Sequence, residues 1–365
     1  MKHGWEYKKW NEVLTIINGK NQSAVEDANG EFPIYGSGGI MGYANNWLCP
    51  EKCVIIGRKG NINKPIFVKT KFWNVDTAFG LNANIEYLIP KFLFYFCLDY
   101  NFERHNKAVT IPSLTKADLL KITIPLPPKS TQLAIVSELD KINELIRLKK
   151  EQLKDFDNLA QSIFYEMFGD PVENEMGWEV STYSKCFNIG SGGTPSKSVP
   201  EYWDNGNIPW IGSNMCQNCI ITETDGKFIT QEGLNNSSTK YLEVGTVLVA
   251  LVGATIGKVA LLRTPTCTNQ NVAFIKANES KDFVPEYVFY NLMGQYEEFM
   301  KIGKGDFKMA NQAFIKALPI LSPPLPLQHL FAQRIEQIEH QKAEVQKTIA
   351  DLETLFASRM QYWFE

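Results

Sequence analysis

The chain has 365 residues, 44% of them hydrophobic and 21% charged, with 18 prolines. That size suits about two domains, and that composition excludes an intrinsically disordered chain. The net charge of −3 excludes the global basic surplus of a stand-alone nucleic-acid binder. The charge is unevenly spread, however. Residues 1–131 hold 16 Lys+Arg against 11 Asp+Glu, and residues 169–327 hold 12 against 16. Any DNA binding is therefore expected to be local, or shared with a more basic partner. Seven cysteines, an odd number without regular spacing, read as reduced thiols of a cytoplasmic protein. Trp5, Tyr7 and Lys8 interrupt any opening apolar run, so no signal peptide is expected. No stretch approaches the roughly 18 uninterrupted apolar residues of a membrane span.

In chain order, Gly4-Trp5-Glu6 leads to a Gly-rich loop from Tyr35 to Tyr43. Cys53-Val54-Ile55-Ile56 reads as a short buried strand, followed by a polar cluster of Arg58, Lys59, Asn61, Asn63 and Lys64. A helical stretch is expected near residues 90–105. Pro127-Pro128 announces a long helix. Then the pattern starts again. Gly177-Trp178-Glu179 repeats the opening 173 residues on, a Gly-rich segment runs from Ser191 to Thr194, and Thr246-Val247-Leu248-Val249 reads as a buried strand. A second helical stretch is expected near 285–300. Pro323-Pro324 and Gln328 repeat Pro127-Pro128 and Gln132, now 196 residues on, so the second unit carries 23 extra residues.

The long helix after each Pro-Pro has a strict 4,3 spacing. In the first copy it comprises Ile135, Leu139, Ile142, Ile146, Lys149, Leu153, Phe156, Ala160, Ile163 and Met167. In the second it comprises Phe331, Ile335, Ile338, Lys342, Val345, Ile349, Leu352, Phe356, Arg359 and Trp363. Lys149, Lys342 and Arg359 are the polar exceptions. A seam of 33 residues spans roughly 50 Å, too long to lie on one domain of its own. The natural partner is the other copy, and tandem like units favour a pseudo-twofold, antiparallel coiled coil. The expected fold class is mixed α+β: two tandem α/β domains separated by two long helices. The boundaries are 1–128 and 170–325 for the globular parts, with 129–169 and 326–365 for the helices.

Several local groups have the chemistry of DNA contact. In the first unit, Ser37, Gly38 and Tyr43 lie on the Gly-rich loop, where backbone can approach a phosphate or base edge. Arg58, Lys59, Asn61, Asn63 and Lys64 suit guanine and adenine edges or the DNA backbone. In the second unit the candidates are Ser191, Thr194, Ser196, Lys197, Asn214, Lys258, Asn269 and Gln270. Lys304 and Lys308 lie in a Lys- and Gly-rich stretch with the look of a basic loop. Plain turns, solvated lysines and structural amide clusters are the alternatives for these residues. Gly253-Ala-Thr-Ile-Gly257-Lys258 is one residue short of a phosphate-loop motif, and Val259 stands where Ser or Thr would hold Mg²⁺. Cys216 and Cys219 form a lone CxxC without a second ligand pair nearby, so no metal site is expected. The sequence has no Asn/Asp-Pro-Pro-Tyr/Phe segment of amino-methyltransferases and no convincing nuclease carboxylate set, so no catalytic residue is assigned.

The ordered set of segments resembles the specificity subunits of type I restriction-modification systems. In the first unit the resemblance rests on Gly4-Trp5, the Tyr35–Tyr43 loop, Gly57-Arg58-Lys59-Gly60-Asn61-Ile62, Ile111-Pro112-Ser113-Leu114, and Ile124–Pro128 with Gln132. In the second it rests on Ser191–Ser196, Tyr202-Trp203, Ile208–Ile211, Gly253–Lys258, Asn269-Gln270-Asn271, and Pro323-Pro324 with Gln328. The resemblance covers nearly the whole chain. It implies that the globular parts are target-recognition domains and the helices conserved spacers that set the gap of a bipartite site. It further implies double-stranded DNA, two methyltransferase subunits and, in the full complex, restriction and motor subunits as partners. This chain would bind no cofactor itself, with S-adenosylmethionine, ATP and Mg²⁺ on the partner subunits. A coiled-coil adaptor without a DNA role, or the recognition chain of a single-chain methyltransferase or nuclease, are the alternatives.

Overall fold

The computed structural model describes residues 4–106, 110–278, 283–302 and 309–365. The chain divides into two units, Met1–Glu151 with Gln346–Glu365, and Gln152–Val345. Each unit holds one globular head and part of both long helices.

In the first unit, the strands Leu14–Asn18, Ala78–Ala83, Cys53–Gly57 and Ile66–Val68 form one antiparallel sheet in that order. Cys53–Gly57 is buried at every residue, which is why its sequence is continuously apolar rather than alternating. A second sheet places Phe32–Gly36 between Gly39–Ala44, antiparallel, and Trp73–Asn74, parallel. A short ribbon pairs Glu6–Lys9 with Thr123–Leu126, so both ends of the head meet at the helix entrance. Fully buried Trp10, Phe92 and Phe102 centre the core, and Ile135, Leu139 and Met360 of the long helices close it.

The second unit repeats this plan. Phe187–Ser191, Val272–Ala277, Val247–Ala250 and Val259–Leu262 form the larger sheet, extended by Cys219–Ile221. Phe228–Ile229, Ile208–Ile211, Thr266–Thr268 and Tyr241–Leu242 form the smaller one. The repeat reaches individual hydrogen bonds. Lys20 N–H donates to Asn74 O (3.0 Å), and Gly193 N–H donates to Thr268 O (2.8 Å). The backbone pairings also locate the insertion. Tyr35 and Ile211 occupy equivalent places 176 residues apart, whereas Val54 and Val247 stand 193 apart. Most of the extra residues therefore fall between these points and include the strand Cys219–Ile221, which has no counterpart in the first head, whereas Phe228–Ile229 pairs with Ile208–Pro209 as Tyr43–Ala44 pairs with Phe32–Pro33.

The long helices run Lys129–Phe168 and Leu325–Phe364, 40 residues each. A buried glutamine staples each to its head. Gln132 Oε1 accepts from Ile89 N–H (2.9 Å), and its Nε2 donates to Tyr87 O and Pro127 O. Gln328 accepts from Val284 N–H (3.0 Å) and donates to Pro323 O (2.9 Å). Within each unit the helices pack antiparallel. In the first, Glu138 pairs with Arg359 and Lys150 with Glu353 (2.7 Å). In the second, Lys342 pairs with Asp157 (2.8 Å), and the ring of Phe164 meets that of Phe331. Seam positions Ile135, Leu139, Ile142, Ile146, Ile335, Ile338, Val345 and Ile349 are buried. Leu153, Phe156, Ile163, Leu352 and Phe356 are half-buried.

The polar seam residues have specific partners. Burial alone would pull the Lys342 amine down, but Asp157 and Glu339 outweigh it and hold the pKa above its ordinary value. Arg359 holds Glu138 below the usual carboxylate range against an opposing effect of burial, and Trp363 Nε1 adds a hydrogen bond to the same carboxylate (3.0 Å). A strict two-row seam does not account for Phe164, Phe168 and Met360, which are all buried. These residues form a third apolar row, one position beyond the seam, that packs into a head core.

Candidate nucleic-acid interface

In the first head, the turn of the Phe32–Ala44 hairpin carries Ser37 and Gly38. The loop after the strand Cys53–Gly57 is held by backbone bonds on both sides. Arg58 N–H donates to Thr77 O (2.8 Å), Leu114 N–H donates to Arg58 O (2.9 Å), and Gly60 N–H donates to Pro112 O (3.0 Å). Gly60 has φ +78°, a conformation that disfavours side chains. A Cβ at Gly60 would lie 3.8 Å from Ser37 Oγ, and one at Gly38 would lie 3.7 Å from Asn61 Nδ2. The fold thus brings together the Gly-rich loop and the polar cluster, which are separate in sequence.

The side chains of this cluster differ in what they touch. Arg58 is half-buried, donates to Asp76 O (3.4 Å) and lies over the Phe79 ring. Lys59, Asn61, Lys64 and Tyr43 are exposed. Asn63 has an anchoring role: its Oδ1 accepts from Phe102 N–H (2.8 Å) and its Nδ2 donates to Asn101 Oδ1 (3.3 Å).

The second head rebuilds the same arrangement with other side chains. Leu251 N–H donates to Asn271 O (2.8 Å), and Ala310 N–H donates to Leu251 O (2.9 Å), the same bonds that Arg58 makes to Thr77 and Leu114. Gly253 follows with φ +73°. Lys258 donates to Gln217 Oε1 (2.8 Å). Asn214 and Asn269 meet around Gly212, where a Cβ would lie 2.7 Å from Asn214 Oδ1 and 3.4 Å from Asn269 Nδ2. Asn269 Oδ1 also accepts from Asn271 N–H (3.0 Å), which fixes one end of its amide. Thr194 Oγ1 donates to Gln270 Oε1 (2.6 Å), joining two further candidates. Ser191 Oγ accepts from Gln312 Nε2 (3.0 Å), a residue that carried no sequence signal. Ser196 bonds Ser198, and Lys197 lines an open cavity of about 460 Å³ with Pro200, Trp203 and Asp204. Lys304 and Lys308 lie outside the described residues.

Burial pushes the Cys216 thiol up to about 12, and that of Cys219 is also raised, chiefly by burial. Among the described residues no three His, Cys, Asp or Glu side chains gather as a metal site. Among the same residues, no helix is long and apolar enough to cross a membrane. The clusters present hydrogen-bond donors and acceptors on glycine-bearing loops, the chemistry that base and phosphate edges accept.

The family model for the type I restriction modification DNA specificity domain matches residues 2–155 and 175–354. The EcoR124I/EcoR124II specificity subunit of Escherichia coli is 26% identical over 192 residues, 50% of this chain and 46% of that one. The match thus spans about half the length of that relative. The EcoDI specificity subunit of the same organism is 18% identical over 366 residues, 92% of this chain and 81% of that one. Among solved structures, the S subunit of a type I system from M. genitalium aligns with a TM-score of 0.59 at 15% identity, covering 99% of this chain and 96% of that one. A chain from a structure of type I R-M complex assembly aligns with a TM-score of 0.60 at 19% identity, covering 99% and 97%. At these identities the likeness to solved structures is one of fold.

Proposed function

The chain belongs to the family of type I restriction modification DNA specificity domains, and we propose from that premise that it is the non-catalytic DNA-recognition subunit of a type I restriction-modification complex. Each head reads one half of a split duplex target. Residues 1–128 and 170–325 serve as the two target-recognition domains, and 129–169 and 326–365 as the spacer helices that set the gap. The partners are two methyltransferase subunits and, in the full complex, restriction and motor subunits. S-adenosylmethionine, ATP and Mg²⁺ belong to those partners.

The observation that carries this reading is the twin loop cluster. The same backbone frame recurs at Arg58 and Leu251, yet the exposed side chains on it differ between heads. A shared frame with divergent side chains is what two readers of different half-sites require, because positioning is generic while base readout is specific. The net charge of −3 fits a chain whose phosphate contacts are shared with more basic partners.

Methylome sequencing of cells that express this chain with its methyltransferase, against cells lacking the chain, tests the proposal. A split methylated motif that appears only with the chain is expected. No new motif beside an active methyltransferase would overturn the recognition role and leave an adaptor.

A further inference from the structure

The polar candidates leave one feature of the first head unaccounted for. Ile40 and Met41, directly after the hairpin turn, are 56% and 61% exposed. Exposed apolar side chains are ordinary one by one; these two stand directly after the turn that carries Ser37 and Gly38. Met41 lies against that cluster, since a Cβ at Gly36 would stand 2.6 Å from Met41 Sδ, and Gly36 adjoins Ser37. The second head has a counterpart on a different element. Met309 is 70% exposed and bridges Val252, the neighbour of Gly253. Thus each head holds an exposed methionine at its loop cluster, Met41 against Gly36 and Met309 beside the Val252–Gly253 turn. The side chains are not equivalent in the repeat, so the shared placement does not come from duplication.

We propose that Met41, with Ile40, in the first head and Met309 in the second are specificity-determining contacts that read thymine through its 5-methyl group. The inference rests on the DNA-recognition reading above. A thymine methyl is the apolar feature of a major-groove edge, and apolar side chains are its ordinary partners. Methionine suits the task because its thioether is flexible and polarisable. On the loop after Cys53–Gly57, which meets the hairpin turn at Ser37, Arg58, Lys59 and Lys64 stand with no acid between them, a charge that suits a polyanion. Polar readers at the same loops then select among the remaining edges.

The test uses the assembled methyltransferase complex and duplexes carrying its methylated motif. Each thymine of a half-site is replaced in turn by uracil, which removes only the methyl group. We expect one such replacement in the first half-site to weaken binding about fourfold, the contribution of one buried methyl. Met41→Ala should weaken the natural duplex by a similar factor and abolish any further effect of that uracil. Met309→Ala should do the same in the second half-site only. The proposal is overturned if uracil has no effect in either half-site, if neither half-site contains an A·T pair, or if the uracil effect persists in both variants. It is also overturned if Met41→Ala prevents assembly with the methyltransferase, which would make this face a protein interface. A complex that yields no methylated motif removes the recognition role itself, and this inference with it.

Discussion

At the scale of single residues, anchored and exposed polar side chains separate. Asn63 lies among the polar candidates, yet its amide is taken up by Phe102 N–H and Asn101. Asn61, two positions earlier, is exposed beside Gly38. Asn61→Ala should therefore change the first half-site of the methylated motif with little effect on stability, while Asn63→Ala should lower stability first. Thermal melts alongside methylome sequencing distinguish the two. The buried glutamines give a sharper energetic case. Gln132→Leu strands Ile89 N–H and two carbonyls in a buried site and should cost about 2–4 kcal/mol in urea unfolding. The thiols add a pH signature. Burial pushes Cys53 and Cys216 up to about 12, so neither is a thiolate at neutral pH in the fold. A raised folded pKa means this stability is full below the ordinary thiol value of about 8.5 and is lost between there and about 12. Unfolding free energy measured across that window should fall, and should fall less in Cys53→Ala.

At the scale of elements, the long helices do more than pair along an apolar seam. Phe164 packs against Phe168, Tyr287, Tyr290 and Phe331, so the end of the first helix is part of the second head's core. Phe164→Ala should destabilise that unit by about 3–5 kcal/mol, measurable as an earlier unfolding transition. The Glu138–Arg359 pair does a different job, fixing one helix against the other through a charged contact at a seam position. Because Arg359 holds Glu138 below the usual carboxylate range, its stabilisation is present at neutral pH and lost as pH falls through the lowered value. The melting temperatures of wild type and Glu138→Gln should therefore differ at pH 7 and converge in acid. A gap that persists in acid would assign the residue a packing role instead.

At the scale of each whole unit, the chain closes on itself. The first head's core includes Met360 and is flanked by Phe356, Trp363 and Phe364. Trp5 stacks on Trp363 with ring centroids 6.3 Å apart. Residues near both ends of the sequence thus complete one head. Removing residues 353–365 should open the first head to hydrogen exchange while the second head keeps its protection. The methylated motif should lose its first half-site definition before the second.

Much of this organisation is legible in the amino-acid sequence. The 4,3 spacing from Ile135 onward and its copy from Phe331 identify the two long helices, because a face that must stay buried over many turns has to repeat. Glycines and the paired Pro-Pro segments mark where the elements start and stop, since those positions constrain the backbone regardless of surroundings. The sequence alone could also pick out Ser37, Arg58 and Asn269 as groups able to contact DNA. It could not say which of them are free to do so. Only the fold brings Ser37 to Gly60, commits Asn63 to an anchor, and exposes Met41 and Met309 beside the same loops. Nor could periodicity foresee Phe164 and Met360, whose burial depends on a head and a helix distant in sequence. Local patterns report the face a residue needs to hide; which surface hides it depends on contacts between segments far apart in the chain, and these exist only in the tertiary structure.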